Sequence, residues 1–271
     1  MKLNGCKFVS DHSNPNHLAA VIKDAKVETF VTGSNLHQMG SSTDPNLHMI
    51  KENTPISDQG PLNSCVANAT ADAFEIIKGL QNPNNVKQIS RLFIYWNARL
   101  YDKSTDKDEG SIIMYAMDSL SQYGVCEETT WQYDPNKVFA QPNILAYKEG
   151  DDNTLKIDNF YKIRTMGGYR SQDIETAIRA NHPVVFGTAI NQDFANFNGG
   201  DEAFQEPTNY IGRHAMVVVG VRRNPNLEFC IRNSWSTNWG NSGHAWLTAQ
   251  YLESHYTEDI YVPTLMPDLL K

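Results

Sequence analysis

The stretch Pro55-Ile56-Ser57-Asp58-Gln59-Gly60-Pro61-Leu62-Asn63-Ser64-Cys65 decides how the rest of this chain is read. Gly60 and Pro61 punctuate a turn, and Ser64 is of a type that caps helices. From Cys65 onward apolar residues recur three or four apart, at Val66, Ala69, Ala73, Phe74, Ile77 and Leu80, which predicts a helix. A thiol thus stands at a helix N-terminus, where unpaired amides and the helix dipole favour negative charge and draw a cysteine below its usual pKa of ~8.5. A thiolate is a nucleophile. The amide of Gln59, six residues upstream across the turn, is a candidate donor to the oxygen that gains charge when Cys65 attacks a carbonyl. Most lone cysteines are small buried hydrophobes. What separates the two readings is a histidine and an orienting group elsewhere in the chain.

Both stand on one predicted hairpin. Ala215-Met216-Val217-Val218-Val219-Gly220-Val221 and Leu227-Glu228-Phe229-Cys230-Ile231-Arg232-Asn233 have strand composition, and five residues, Arg222-Arg223-Asn224-Pro225-Asn226, separate them. With the register centred on that loop, Val221 faces Leu227, and His214 falls opposite Asn233 or Ser234. Opposed Cβ atoms lie ~4.5–5.5 Å apart. An Asn233 amide oxygen accepting from one imidazole nitrogen then fixes the tautomer and leaves the other nitrogen to face Cys65. Taken singly, His214 suits a strand-end histidine satisfied by backbone and Asn233 a turn residue. Their shared hairpin makes the triad Cys65, His214 and Asn233.

Length and composition bound the rest. With 271 residues, 40% apolar and 20% charged, the chain is a globular protein of one large domain or two small ones around a cleft. A net charge of −8 and the lack of a Lys/Arg cluster argue against a nucleic-acid partner. No run of ~18 apolar residues predicts a membrane span. Met1-Lys2-Leu3-Asn4-Gly5-Cys6 has no apolar region of the kind a secretory signal needs. Cys6, Cys65, Cys126 and Cys230 show no CxxC pair and no Cys/His spacing suited to zinc, so neither a metal nor another cofactor is expected. A nucleophilic Cys65 leaves an odd number of thiols, which speaks against a disulfide framework.

In chain order, residues 1–45 are polar and rich in Asn, Ser and His, an arm or pro-segment with a short helix or strand over 18–30. Ser90 caps a second helix whose apolar face is Leu92, Phe93, Trp96 and Leu100; Ser111 caps a third, which Gly124 stops. Residues 131–154 read as a long connection between lobes. Beyond it come a short strand over 160–163, a helix over 171–180 and a strand over 184–190. The chain therefore divides into the arm, a mainly helical lobe over 46–150 and a β lobe over 151–263, within a domain running to the end at 271.

These blocks carry a resemblance. Asp58-Gln59-Gly60 with Asn63-Ser64-Cys65, Arg213-His214-Ala215 with the valines that follow, and Arg232-Asn233-Ser234-Trp235 with Trp239-Gly240 and Gly243 resemble the three signature blocks of papain-family, cathepsin-like cysteine peptidases, in the family's order. Cys65-Val66-Ala67-Asn68-Ala69, the stretch from Ser90 to Arg99, and Tyr123-Gly124-Val125-Cys126 resemble the subgroup found in bacteria, amoebae and large DNA viruses. Gly5 to Asp11 resembles that subgroup's N-terminal extension. The resemblance implies an α+β, two-lobed fold, a helical lobe and a β-barrel lobe with the active-site cleft between them. It implies that Cys65 is the nucleophile, His214 the general acid/base, Asn233 its orienter and Gln59 the oxyanion donor with the Cys65 amide. Trp235, grouped with the substrate-binding residues, matches the indole that shields the His–Asn bond from water. Glu109, Gly110 and Ser111 fall where the family presents a strand to the peptide backbone, and Gly187, Gly212 and Ala215 match the walls of the pocket for the second residue before the cut.

There are departures. Leu62 stands where many relatives have a disulfide cysteine, Val66 replaces an aromatic residue, and Asn63 replaces a glycine and narrows the approach of substrate backbone. Arg213 beside the histidine disfavours imidazolium if it faces the cleft. The expected function is hydrolysis of peptide bonds in a peptide or protein through a thioester on Cys65, in a protein made as a zymogen and inhibited by residues 1–45, with Cys6 approaching Cys65. Acyl transfer by the same triad and a retired site serving as a binding scaffold are the alternatives. Lacking a signal or span, the chain is expected to be cytoplasmic or virion-associated unless a leader was removed.

Overall fold

The computed structural model describes residues 5–7, 45–152, 155–163 and 169–265; the element expected over 18–30 lies outside the described residues. The elements in chain order are β1 (Cys6–Lys7), β2 (Leu47–Met49), α1 (Cys65–Gln81), α2 (Arg91–Tyr101), β3 (Ser111–Ile112), α3 (Ile113–Gln122), a 3-10 turn (Pro135–Lys137), α4 (Ile144–Gly150), β4 (Asn159–Ile163), α5 (Tyr169–Arg179), β5 (Val184–Asn191), α6 (Gln192–Ala195), β6 (Tyr210–Arg223), β7 (Leu227–Arg232), β8 (His244–Thr248), α7 (Ala249–Glu253) and β9 (Thr257–Thr264). Helices dominate the first half and strands the second, the α+β arrangement of two lobes expected from the sequence. Among the described residues no helix is long and apolar enough to cross a membrane.

The helix that Cys65 opens is buried on every side from Cys65 to Ile77, including Asn68, Asp72 and Glu75. A helix exposed on one face alternates with water; this one runs through the middle of the molecule, so its polar residues need partners inside. Ser64 does not cap it through its side chain. That hydroxyl is engaged by the phenol of Tyr133 instead, and Asn68 Nδ2 donates back to the Ser64 carbonyl at 3.0 Å. Ser90 does cap α2, accepting from the Phe93 amide at 3.1 Å. Ser111 does not cap α3. It is extended, because its amide donates to the Gly5 carbonyl at 3.0 Å, and the helix starts two residues later. The connection over 131–154 is not structureless either, since Asn143 accepts from the Ala146 amide and opens α4.

The large sheet has the order β4-β9-β5-β6-β7-β8 with antiparallel neighbours, and β2 pairs with β6 from the chain's first half. Its centre is made by Val184, Val185, Phe186, Val217, Val218 and Val219, none of which is exposed. The hairpin is tighter than expected. Arg223 pairs with Leu227, leaving a three-residue loop, and Val221 faces Phe229 rather than Leu227. Arg222 and Arg223 stay in the ladder because Arg222 finds Glu228 opposite, with Nε to Oε2 at 2.7 Å. A register shift between Val218 and Gly220 then moves the pairing by one residue, and the ladder ends at Arg232.

The lobes are stitched where the first segment meets the end of this hairpin. Gln59 donates its amide to the Ser234 carbonyl at 2.9 Å, and Ser236 donates to the Ser57 carbonyl at 3.0 Å. The turn before Cys65 is thereby fixed against the residues that follow β7.

Candidate active site

His214 lies on β6, and Asn233 stands one residue beyond β7. His214 Nε2 and Asn233 Oδ1 are 2.7 Å apart. The same oxygen accepts from the Ser234 amide at 2.8 Å, so Nε2 carries the proton and Nδ1 is left to accept or give one. Trp235 stacks on the imidazole, with centroids 4.4 Å apart and planes 24° apart, and is itself 6% exposed. It covers the histidine rather than opening onto solvent.

Gln59 is oriented from both ends. Its Oε1 accepts from Ser234 Oγ at 2.7 Å, and its Nε2 donates to the Leu62 carbonyl at 2.9 Å, which leaves the amide one further N–H. The Tyr133 phenol donates to the Gln59 carbonyl at 2.9 Å, so the Ser64 hydroxyl must donate to Tyr133. Tyr133 therefore ties the turn to the first residue before the helix. No motif in the sequence pointed to it, because it comes from the connection between the lobes.

Cys65 begins the helix as expected, yet its pKa moves the other way. Complete burial pushes the thiol up to about 12, against the backbone amides of Ala215, Val66 and Cys65 itself, which act to lower it. Burial likewise pushes His214 down to about 4, against the hydrogen bond to Asn233. Arg213 is not the cause. In this state the site holds a thiol and a neutral imidazole, not an ion pair.

What lies over Cys65 is the N-terminal segment. Residues 5–7 pair with β3 in parallel, Cys6 opposite Ser111 and Lys7 opposite Ile112, and β1 also lies against β6. A Cβ placed on Gly5 would stand 2.8 Å from Cys65 Sγ and 2.7 Å from the Asn63 carbonyl oxygen, closer than atoms pack. A Cβ on Gly110, whose φ is +87°, would meet the Gly5 carbonyl oxygen at 2.3 Å. Two glycines let one backbone lie on another, directly over the sulfur. It is Gly5, not Cys6, that meets Cys65. None of Cys6, Cys65, Cys126 and Cys230 is joined in a disulfide.

Of the expected substrate-binding residues, Gly110 and Ser111 lie against this segment. Gly110 and Ser111 are buried beneath it, with Glu109 exposed beside them. Gly187 pairs with Ala215 on one side and with Glu258 on the other, and Gly212 pairs with Ile190 further along the strand. Asn63 does not project into the cleft, because its side-chain amide is held by the Asp108 carbonyl at 2.6 Å. Outside the site, His244 pairs with Glu52 at 2.9 Å and His48 with Asn181 at 3.1 Å, partners that sequence spacing does not give. Among the described residues no group of three or more His, Cys, Asp or Glu is disposed to hold a metal ion.

A profile for the papain family cysteine protease matches residues 41–264. An uncharacterized peptidase C1-like protein of Acanthamoeba polyphaga mimivirus is 34% identical over 214 residues, which cover 76% of this chain and 68% of that protein. Papain of Carica papaya is 27% identical over 192 residues, 70% of this chain and 50% of papain's curated length. Among solved structures, xylellain, a cysteine protease from Xylella fastidiosa, superimposes with a TM-score of 0.70 at 25% identity, covering 82% of this chain and 87% of that one.

Proposed function

The chain belongs to the papain family of cysteine proteases, and from that premise we propose that it hydrolyses peptide bonds through a thioester on Cys65. His214 Nδ1 takes the thiol proton as sulfur attacks the peptide carbonyl carbon. The carbonyl oxygen, now negative, is met by the spare N–H of Gln59 and by the Cys65 amide at the helix start. His214 returns the proton to the departing amine, the carbonyl reforms, and water activated by the same nitrogen then releases the acid and the free thiol. Asn233 is the orienter, and Trp235 keeps water from their hydrogen bond. The 2.7 Å bond between His214 Nε2 and Asn233 Oδ1 carries this reading, because it leaves Nδ1 as the nitrogen free to work.

The same reading makes the full chain latent. The arm of residues 1–45 acts through Gly5, whose backbone covers the sulfur, and through Ser111, whose amide donates to the Gly5 carbonyl where a substrate backbone is expected to bind. When the arm leaves, water reaches both groups and burial no longer holds them neutral. The helix-start amides then favour the thiolate. Gly110, Ser111, Gly187, Gly212 and Ala215 are the residues that take the substrate in its place.

The test is peptide hydrolysis by the full chain, by Gly5→Val and by Cys65→Ala. Turnover that rises in Gly5→Val and vanishes in Cys65→Ala supports the reading; no turnover in Gly5→Val, with the fold intact, refutes it. Product masses with an added amine distinguish hydrolysis from acyl transfer.

A further inference from the structure

Asn233 is gripped from two sides, and one side chain joins the grips. On one side its backbone amide donates to the Gly243 carbonyl at 2.9 Å, and Gly243 leads directly into β8. On the other, its two neighbours in the chain are tied to the segment that approaches Cys65. Arg232 donates to the Thr54 carbonyl at 3.2 Å and to the Pro55 carbonyl at 2.5 Å, and the Ser234 carbonyl accepts from the Gln59 amide. Arg232 and His244 face each other as the pair that ends the β7–β8 ladder. Glu52 lies across that pair. Its Oε2 accepts from Arg232 at 2.7 Å and its Oε1 from His244 Nε2 at 2.9 Å, while His244 Nδ1 lies 3.2 Å from the Ser242 carbonyl oxygen. The side chains of Glu52 and Arg232 are 17% and 1% exposed, which takes this bridge out of the class of surface ion pairs that water and salt screen.

The consequence falls on the amide that orients the imidazole. Asn233 follows the last pair of the ladder by one residue, so its direction is set by where Arg232 and His244 come to rest. A carboxylate with one oxygen on each strand fixes their spacing. Without it, that spacing is left to the backbone bonds, and Gly243, next to His244, passes any shift to the Asn233 amide it holds. The bond that then suffers is the one of 2.7 Å between Asn233 Oδ1 and His214 Nε2. A supporting partner of this kind governs how precisely a working group is held. We propose that Glu52 is a positioning residue, which by bridging Arg232 and His244 sets the direction from which Asn233 holds His214. It acts through Asn233, and the inference rests on the peptidase reading above for what His214 does.

Three substitutions separate the bridge from its charge. Glu52→Gln has the same reach without the charge: its oxygen can accept from Arg232, and its N–H can donate to the other tautomer of His244. Glu52→Asp keeps the charge but is one methylene too short to span both partners, and Glu52→Ala has neither reach nor charge. In the full chain carrying Gly5→Val, the Ala and Asp variants are expected to lower kcat about tenfold with KM within about twofold, the order of loss for a working group misdirected rather than missing. Glu52→Gln should recover most of that loss. A role confined to stability through charge gives the reverse order, with Asp near the parent and Gln poor. A second readout needs no turnover. In the full chain with isotope-labelled histidine, the His214 Nε2 proton, hydrogen-bonded to Asn233, should move upfield in Glu52→Ala and Glu52→Asp and hold its place in Glu52→Gln. A resonance or a kcat unmoved by Glu52→Ala, or Asp surpassing Gln in either readout, would overturn the assignment. If Gly5→Val itself cuts no peptide, the peptidase reading falls, and the resonance still decides whether Glu52 places Asn233.

Discussion

At Cys65 two effects of known sign oppose each other. The helix start and three backbone amides lower the thiol's pKa, and burial raises it; burial wins, with the thiol at about 12. His214 shows the same outcome from the other side, falling from 6.5 to about 4. Its pKa in the covered state lies below the free value, so the covered state binds fewer protons than one in which the histidine meets water. The stability this gives the covered state is complete above pH 6.5 and is lost as pH falls through about 4, on the order of 3 kcal/mol in all. Alkylation of Cys65 in the full chain, corrected for the reagent's own pH dependence, is therefore expected to speed up on acidification across that window. A flat profile would show that His214 is not what holds the cleft shut. For the orienter, Asn233→Ala is expected to cost about 10²-fold in kcat in the Gly5→Val background with KM little changed, the order of loss for a misplaced catalytic group. Equal losses in kcat and 1/KM would assign it to substrate binding instead. The residues of this site were legible from the motif and the hairpin. Their protonation was not, because it depends on an occupant, Gly5 to Lys7, that stands far upstream of the first signature block at Asp58.

At the level of elements, the proposed latency rests on the two-residue strand β1. Its seat depends on Gly5 and Gly110, where any side chain would collide with sulfur or backbone. Gly5→Val should therefore displace the strand without touching the catalytic groups, seen as faster labelling of Cys65 and an unchanged unfolding midpoint for the rest of the molecule. The hairpin teaches a related lesson. Composition placed both strands and joined His214 to Asn233, but centring the register on a five-residue loop erred, since Arg222 and Arg223 belong to the ladder through the Glu228 ion pair. The shift between Val218 and Gly220 is a backbone event that no side-chain pattern announces. Ser64 and Ser111 misled as caps for the same reason: each hydroxyl or amide had a better partner from a distant segment, Tyr133 in one case and Gly5 in the other.

Across the whole molecule, the lobes are held by a buried chain of charges behind the site. Arg232, 1% exposed and adjacent to Asn233, reaches Asp72 of the central helix at 3.1 Å and Glu52 at 2.7 Å, and also donates to the Pro55 carbonyl. Asp72 is shared with Arg91 at 3.3 Å. Arg232→Met leaves Asp72 and Glu52 with less countercharge inside, so it should lower stability by about 3–5 kcal/mol. Adding Asp72→Asn should recover part of that loss, which urea unfolding of the single and double variants would read as a coupling between the lobes. Two independent, additive losses would contradict a shared network. The order of lobes and the fold class followed from the sequence alone; this clamp did not, because its members are separated by up to 180 residues. The central claim is that a competent thiol lies beneath its own N-terminal segment. The most direct test is intact-mass kinetics with an epoxysuccinyl inhibitor on the full chain, Gly5→Val and Cys65→Ala. The account predicts one adduct, slow in the full chain, fast in Gly5→Val and absent in Cys65→Ala; equal rates in the first two, or an adduct that survives loss of Cys65, would contradict it.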